Sequence, residues 1–234
     1  MPNSAESSSV QPTALVTGAS RGLGAAIARE LAPAHRLLLG ARTPEALEPI
    51  LGELPGATGW PVELTDYAAV ARAVEPIDRL DVLVHNAGIA DLGTIADSSV
   101  AQWRNTLEAN LIAVVELTRL LLPALRAANG HVVLINSGAG LRANAGWSAY
   151  AASKFGLRAF ADALRLEEPD LRVTSVHPGR IDTDMQRAII AGEQRDYQPR
   201  EFLTPETVAR AVRNAVETPR DAHPTEVVLR PIPR

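Results

Sequence analysis

The chain of 234 residues contains no cysteine. A disulfide framework, a thiolate metal site, an iron–sulfur cluster and a cysteine nucleophile are therefore excluded. The net charge of -4 leaves no basic surplus, so we expect no nucleic-acid partner. The five histidines lack ligand spacing, and we expect no metal site. The remaining composition, 46% hydrophobic and 21% charged, suits one substantial domain or two small ones.

Export and membrane signals are also missing. The N-terminus is polar and serine-rich, and residues 1–12 are predicted to form a disordered tail. The longest apolar stretch, residues 111–125, is interrupted by two charged residues and a proline. A membrane-spanning helix needs about 20 apolar residues. We therefore expect a soluble, cytoplasmic protein with no membrane partner.

Short apolar runs alternate with helical patterns from residue 13 onward, without a linker or a repeat. We predict strands at 14–17, 36–39, 59–62, 82–85, 131–136, 173–177 and 226–229. We predict helices at 23–31, 44–51, 67–74, 100–127, 148–166 and 205–217. Such alternation is typical of right-handed βαβ units. The expected fold is one α/β domain over residues 13–234, a three-layer α/β/α sandwich around a doubly wound, mostly parallel seven-stranded sheet.

The predicted helix 100–127 is apolar around most of its circumference in its second half. A helix that is apolar on all sides needs cover on all sides. The sheet would cover one side, and a second subunit could cover the other.

A glycine-rich segment, Thr-Gly-Ala-Ser-Arg-Gly-Leu-Gly at residues 17–24, joins the first strand to the first helix. Glycines allow a tight turn and close approach of a phosphate, and the helix N-terminus offers unpaired N–H groups to it. The spacing Gly-x-x-x-Gly-x-Gly also fits a structural turn. Its position directly after the first strand favours a phosphate site.

Tyr150 and Lys154 lie four residues apart on a predicted helix and therefore share a face. A neighbouring ammonium lowers the pKa of a tyrosine, which can then exchange a proton with a substrate oxygen. Ser137 follows a strand at its carboxyl end, where ligands bind in such sheets, and its hydroxyl could hold a carbonyl oxygen. The Tyr-Lys pair alone also fits a solvated helix face; its combination with Ser137 and the glycine loop favours a catalytic site.

Taken in this order and spacing, these features resemble the single-domain branch of the short-chain dehydrogenase/reductase family. The resemblance runs from about Thr13 to the last strand and implies a Rossmann-like fold. It rests on residues 17–24, on Asn86-Ala87-Gly88, Asn110, Ser137 and the segment from Tyr150 to Lys154, and on Pro178-Gly179 with Ile181 and Thr183.

The resemblance implies a role for each of four catalytic residues. Tyr150 would be the general acid/base, and Ser137 would orient the substrate oxygen. Lys154 would lower the pKa of Tyr150 and bind the nicotinamide ribose. Asn110 would support a water that links Lys154 to solvent as a proton relay.

The resemblance also implies a bound dinucleotide. In the glycine loop its contacts would be Gly18, Ser20, Arg21, Gly22, Leu23 and Gly24. Asn86, Ala87 and Gly88 would stabilise the centre of the sheet and touch the adenosine ribose. Pro178, Gly179, Ile181 and Thr183 would line the nicotinamide, together with Tyr150 and Lys154. Glu63 and Leu64 replace the usual Asp-Val/Leu pair near the adenine, where the Leu64 backbone can still serve.

The end of the second strand predicts which dinucleotide is used. NAD enzymes of this architecture usually carry an acidic residue there, which accepts bonds from the ribose hydroxyls. This chain has Ala41 and then Arg42, and Arg21 lies in the nearby glycine loop. Because a guanidinium can clamp a phosphate, we expect NADP(H) rather than NAD.

The predicted function is an NADP(H)-dependent oxidoreductase that interconverts a carbonyl and an alcohol on a small organic substrate. A 3-oxoacyl chain, a sugar or polyol, and a ketone or aldehyde all remain open as substrates. A substrate lid is expected at about residues 184–204, and a homodimer or homotetramer is expected from the apolar helix and the family pattern. The alternative is a non-catalytic NADP(H)-binding sensor or scaffold on the same fold.

Overall fold

The computed structural model describes residues 11–232, so most of the predicted N-terminal tail lies outside the described residues. One seven-stranded sheet comprises β1 Thr13–Val16, β2 Arg36–Ala41, β3 Thr58–Pro61, β4 Val82–His85, β5 His131–Ile135, β6 Arg172–Pro178 and β7 Glu226–Leu229. The strand order is β3-β2-β1-β4-β5-β6-β7, and every neighbouring pair is parallel. The predicted doubly wound sheet is confirmed, and within residues 11–232 it is wholly parallel.

Eight α-helices connect and cover the strands in the described part of the chain. They are α1 Gly22–Leu31, α2 Glu48–Glu53, α3 Tyr67–Val74, α4 Val100–Leu107, α5 Ala113–Ala128, α6 Ser148–Glu167, α7 Asp184–Gly192 and α8 Pro205–Glu217. None of them is both long and apolar enough to cross a membrane.

Two hydrophobic cores lie on opposite faces of the sheet. Consecutive strand side chains alternate between faces, so Ala14 and Val16 enter one core and Leu15 enters the other. Helices α1, α2 and α8 cover the first face, and α3, α5 and α6 cover the second. Burial on both faces explains why the central strands β1, β4 and β5 consist almost entirely of apolar residues. The three-layer α/β/α architecture is confirmed.

The strand order reverses at β1, which pairs with β2 on one side and β4 on the other. In doubly wound sheets the crevice at the carboxyl ends of the strands beside this reversal is the ligand site. The glycine loop and the segment after β4 both open into this crevice.

The predicted helix 100–127 is divided by a π-helical segment, Glu108–Ile112, between α4 and α5. The wider turn lies where Asn110 is buried, at 1% exposure. Beyond it, α5 buries only one face. Ile112 and Val115 stay exposed at 46% and 36%, so this helix does carry apolar surface that the sheet leaves uncovered.

Candidate active site

The four predicted catalytic side chains converge at the carboxyl ends of β4 and β5. Ser137 lies two residues beyond β5, and its hydroxyl is hydrogen-bonded to Tyr150. Tyr150 and Lys154 occupy the first two turns of α6, with the Lys154 Nζ 5.8 Å from the Tyr150 ring centroid. Asn110 faces them from the π segment. A Cβ at Gly88 would come within 3.0 Å of Asn110 Oδ1 and 3.9 Å of Lys154 Nζ, so a side chain there would crowd the Asn110 amide.

Lys154, the only lysine of the chain, is 6% exposed. Its Nζ donates a hydrogen bond of 3.0 Å to the Ile135 carbonyl at the end of β5. Burial disfavours the charged form and lowers the pKa of Lys154 to about 8. The amine can therefore gain or lose a proton near neutral pH.

Tyr150 is half-buried, and its environment differs from the expected one. Burial raises the pKa of its phenol above the ordinary value, and the hydrogen bond with Ser137 opposes this rise. Lys154 is not among the groups that shift the pKa of Tyr150 in the protein alone, so the lowering of this pKa by Lys154 stays a prediction. The Lys154 amine is directed to the Ile135 carbonyl, and the lowering contribution comes from Ser137.

Asn110 connects three segments through its side-chain amide. Its Oδ1 accepts from the Ile89 N–H at 2.8 Å, and its Nδ2 donates to the Ile89 carbonyl at 2.9 Å. The same Nδ2 donates to Ser153 Oγ at 3.1 Å. Ser153 precedes Lys154 and is fully buried. The amide therefore fixes the loop after β4 against α6.

The glycine loop has the shape that a phosphate requires. Gly18 and Gly22 have φ angles of +64° and +56°, a conformation that glycine adopts without strain. A Cβ at Gly24 would lie 2.0 Å from the Gly18 carbonyl oxygen, so no side chain fits there. Helix α1 has no side-chain N-cap, which leaves its first N–H groups free for an anion. Ser20, Arg21 and Leu23 complete the loop, and this geometry fits the diphosphate of a dinucleotide.

The loop is tied to the segment after β4 by Thr17 and Asn86. The Thr17 hydroxyl accepts from the N–H groups of Asn86 and Ala87 at 3.0 and 3.1 Å. The Asn86 side chain donates to the carbonyls of Thr17 and Gly18 at 3.0 and 3.1 Å. Asn86 and Ala87 thus hold the glycine loop in place. Thr17 is a site residue with no predicted role, and its position inside the glycine motif was the available signal.

The segment after β6 forms the opposite wall. Pro178 ends the strand, and the Gly179 N–H donates to the Leu229 carbonyl at 2.8 Å. A Cβ at Gly179 would lie 2.7 Å from Pro231, so the C-terminal segment can pass here only beside glycine. Ile181 forms a bridge with Leu203, which closes the predicted lid segment at its base.

Thr183 lies between this wall and the glycine loop. Its hydroxyl caps α7 by accepting from the Gln186 N–H at 3.3 Å. A side chain at Gly22 would meet the Thr183 methyl group at 3.5 Å, so the two predicted cofactor contacts face each other. Helix α7 was not among the predicted helices. Thr183 followed three residues later by Gln186 is a capping-box pattern that could have located its start.

The residues expected to bind the 2′-phosphate lie at the edge of the crevice. Ala41 ends β2, and the next side chain, Arg42, is exposed and has no ion-pair partner among residues 11–232. Arg21 forms a loose ion pair with Asp184, at 3.6 Å between two exposed side chains. Such a pair is weak and exchanges readily with solvent or a ligand.

Glu63 and Leu64 follow β3. The Glu63 carboxylate accepts hydrogen bonds from the backbone N–H and the hydroxyl of Thr65, at 3.2 and 3.0 Å. The carboxylate therefore closes a local turn, and the half-buried Leu64 sits at its centre.

Comparison with known proteins agrees with this geometry. A sequence profile described as short chain dehydrogenase matches residues 12–194. The chain belongs to this family. Trans-4-hydroxycyclohexanecarboxylate dehydrogenase of Sinomonas cyclohexanicum is 38% identical over 200 residues, which cover 78% of this chain and 77% of that protein. The 3-oxoacyl-[acyl-carrier-protein] reductase of Escherichia coli is 36% identical over 185 residues, covering 75% and 76%.

Solved structures of short-chain dehydrogenases superpose closely. An alcohol dehydrogenase from the archaeon Thermococcus sibiricus, complexed with 5-hydroxy-NADP, matches with a TM-score of 0.86 at 29% identity. The match covers 95% of this chain and 97% of the archaeal one. Because the relatives are dehydrogenases and reductases, this short-chain dehydrogenase is an oxidoreductase.

Asn136 is a further site residue of this short-chain dehydrogenase and was not predicted from the sequence. It is 3% exposed; its Oδ1 accepts from the Ser137 N–H at 2.8 Å and its Nδ2 donates to the Lys154 carbonyl at 3.1 Å. It therefore sets the distance between β5 and α6. A polar residue at the end of an otherwise apolar strand, next to Ser137, was the available signal.

Trp147 lies beside Tyr150 in this short-chain dehydrogenase. Its indole packs edge-on against the Tyr150 ring, with 5.7 Å between centroids, and the Arg180 guanidinium lies 5.5 Å from the indole. The predicted lid, residues 184–204, contains α7 and is fastened by the Arg180–Glu193 ion pair and by a hydrogen bond from the Tyr197 hydroxyl to Asp182.

Proposed function

We propose that this short-chain dehydrogenase is an NADP(H)-dependent enzyme that interconverts a carbonyl and an alcohol on a small organic substrate, with Tyr150 as general acid/base. The observation that carries the proposal is the pairing of a Ser137–Tyr150 hydrogen bond with a buried lysine on the next turn of α6. A protein that only binds a nucleotide has no need for this proton-transfer arrangement.

The reduction direction assigns each side chain a task. The Ser137 hydroxyl donates to the substrate carbonyl oxygen and orients it. The Tyr150 hydroxyl delivers a proton to that oxygen as hydride reaches the carbon. Lys154, whose pKa of about 8 lies near neutral pH, can restore the phenol proton from the solvent side. Asn110 and Asn136 hold α6 so that the two titrating groups stay in place.

The cofactor assignment rests on the shape and charge of the crevice. A nicotinamide dinucleotide, when bound, supplies or accepts the hydride. Gly18, Gly22 and the uncapped start of α1 would hold its diphosphate. Ala41 and Arg42 favour a 2′-phosphate, because Arg42 has no ion-pair partner among residues 11–232 and alanine replaces the acidic residue at the end of β2. The archaeal structural relative, which was solved with an NADP derivative, supports this choice.

The substrate class is supported by the names of the relatives. One acts on trans-4-hydroxycyclohexanecarboxylate and another on 3-oxoacyl groups; the first name contains a secondary alcohol and the second a ketone. A small ketone or the matching secondary alcohol is therefore the first substrate class to test.

The test is NADPH oxidation across a panel of ketones and aldehydes, repeated with alcohols and NADP+. We expect turnover of at least one ketone. Nucleotide binding without turnover of any carbonyl or alcohol would contradict the proposal and favour the sensor alternative.

We also propose a homodimer or homotetramer. Three exposed apolar side chains support such an interface: Ile112 on the π segment, Val115 on α5 and Phe155 on α6. The cytoplasmic location, and the expectation of no nucleic-acid or metal partner, stay predictions from the sequence.

A further inference from the structure

We propose that Arg180 selects substrates that carry a carboxylate, and that the substrate carboxylate takes the place held by Glu193 of the lid. The inference rests on the proposed function, because it names a substrate class for the same site. It is carried by the position of the guanidinium, by its unused donors, and by a second partner for Glu193.

The guanidinium is next to the reacting centre. Arg180 follows Pro178-Gly179 at the carboxyl end of β6, and its side chain lies against the Trp147 indole. The same indole contacts the ring of Tyr150. One aromatic side chain therefore touches both the proposed proton donor and a permanent positive charge. A substrate with its carbonyl at Tyr150 needs a spacer of only a few carbons to reach Arg180.

The guanidinium also retains donors. Arg180 donates to the Glu193 carboxylate through Nη1 at 2.9 Å and through Nη2 at 2.5 Å. A guanidinium has five N–H groups, and among the described residues its side chain has no acceptor besides Glu193. The pair is partly sheltered, with 32% and 26% of the two side chains exposed. A substrate carboxylate can first contact the unused N–H groups and then replace Glu193 in the charge-assisted, bidentate contact.

When Glu193 leaves Arg180, its carboxylate still has a second positively charged partner. Its Oε2 is 3.4 Å from the Arg195 guanidinium, which also reaches Glu201 at 3.3 Å. The hydrogen bond from Arg180 holds the pKa of Glu193 below its usual range, so the lid side chain is a carboxylate. A substrate carboxylate that displaces Glu193 therefore replaces one anion by another at the Arg180 guanidinium, and the guanidinium stays paired with a negative charge. An uncharged substrate gains nothing by displacing Glu193.

A purely structural role makes a different prediction. If the Arg180–Glu193 pair only fastened the lid, its loss would change turnover of charged and uncharged substrates alike. If Arg180 reads a carboxylate, its loss changes the ratio between them, chiefly through KM.

The experiment compares oxo acids with their uncharged methyl esters. The pairs are 4-oxopentanoate, 5-oxohexanoate and 4-oxocyclohexanecarboxylate, each with its methyl ester, assayed with NADPH. We expect wild-type kcat/KM to favour the best acid over its ester by about ten- to a hundredfold, as one charge-assisted contact allows. Arg180→Met should bring that ratio close to one by raising KM for the acid, and Arg180→Lys should fall between. Glu193→Gln should lower KM for the acid.

Arg200→Met is the matched control, because Arg200 is a lid arginine whose hydrogen bonds go only to Gln198 within the described residues. It should keep the wild-type ratio. A wild type that uses esters as well as acids, or an Arg180→Met variant that loses both equally, would overturn the proposal.

A binding measurement separates this proposal from the proposed function. Cyclohexanecarboxylate and cyclohexanecarboxamide, which have no reducible ketone, are titrated calorimetrically into the protein with NADP+. We expect the carboxylate to bind at least about tenfold more tightly in the wild type, and Arg180→Met to remove the difference. Carboxylate selection without turnover of any carbonyl would refute the proposed activity and uphold Arg180. Equal binding of the two compounds would refute the role of Arg180 even in an active enzyme.

Discussion

Replacing Lys154 by methionine should stabilise the folded protein at neutral pH while impairing catalysis. Burial lowers the pKa of this amine from 10.5 to about 8. Each unit of pKa difference corresponds to about 1.36 kcal/mol, so keeping Lys154 charged in the folded protein below pH 8 lowers the free energy of unfolding by about 3 kcal/mol. Methionine avoids this cost but loses the bond to the Ile135 carbonyl, worth about 1 kcal/mol. We therefore expect Lys154→Met to be more stable by about 2 kcal/mol at pH 7.

The pH dependence gives the sharper form of this prediction. Because folding lowers the pKa, the unfolded chain binds more protons between pH 8 and 10.5, and wild-type stability rises across that window. At pH 9.5 the cost of the charge falls to about 1 kcal/mol, so the two proteins should be about equally stable. Denaturant unfolding at pH 7 and 9.5 measures both differences. Other titrating groups are common to the two proteins and cancel.

A direct assay is available because Lys154 is the only lysine. Protein labelled with ¹³C at the lysine ε-carbon should give one ε-carbon signal, and its shift should titrate with a midpoint near pH 8. A midpoint at or above 10, or a stability difference between wild type and Lys154→Met that does not change with pH, would refute the reasoning.

The remaining predictions concern chemistry, cofactor and assembly. Tyr150→Phe should lower kcat by about 10²- to 10⁴-fold and leave NADPH binding, measured by fluorescence titration, unchanged. A Tyr150→Phe variant that turns over as fast as the wild type would exclude Tyr150 as the acid. The wild type should prefer NADPH over NADH in kcat/KM by about ten- to a hundredfold, and Ala41→Asp/Arg42→Leu should shift use toward NADH; a wild type that uses NADH equally well contradicts the assignment. Val115→Asp, which places a charge beside Ile112, should dissociate the assembly in light scattering, whereas a monomeric wild type would remove the proposed interface.

The sheet could be predicted because its strands are local signals. The central strands are short apolar runs bounded by polar residues. The strands at 82–85 and 226–229 were predicted with their observed bounds. The site could be located because its titrating residues lie close in sequence or directly after strands. The helical spacing of Tyr150 and Lys154 was enough to predict that they share a face. The position of Ser137 directly after a strand was enough to place it at the same edge of the sheet.

What could not be predicted depends on contacts between distant segments. Asn136 and Thr17 act through hydrogen bonds with backbone groups far along the chain, and Ser153 accepts a hydrogen bond from the distant Asn110 side chain. No local pattern encodes those partners. The pKa of Lys154 depends on how deeply α6 buries it, which residue type and spacing do not reveal. The π segment was missed because hydrophobic periodicity does not distinguish a single wide turn within a long helix.

The π segment means that the long helix carries one residue more than a regular α-helix would need. Deletion of one residue there, such as Leu111, should convert the π turn to a regular α-helical turn and leave the loops at both ends of the helix at their present length. The reversion would rotate the Asn110 amide away from Ile89 and Ser153. The fold and the position of Asn110 are therefore expected to be separable: a one-residue deletion should keep the scaffold folded and break the hydrogen bonds of Asn110 with Ile89 and Ser153.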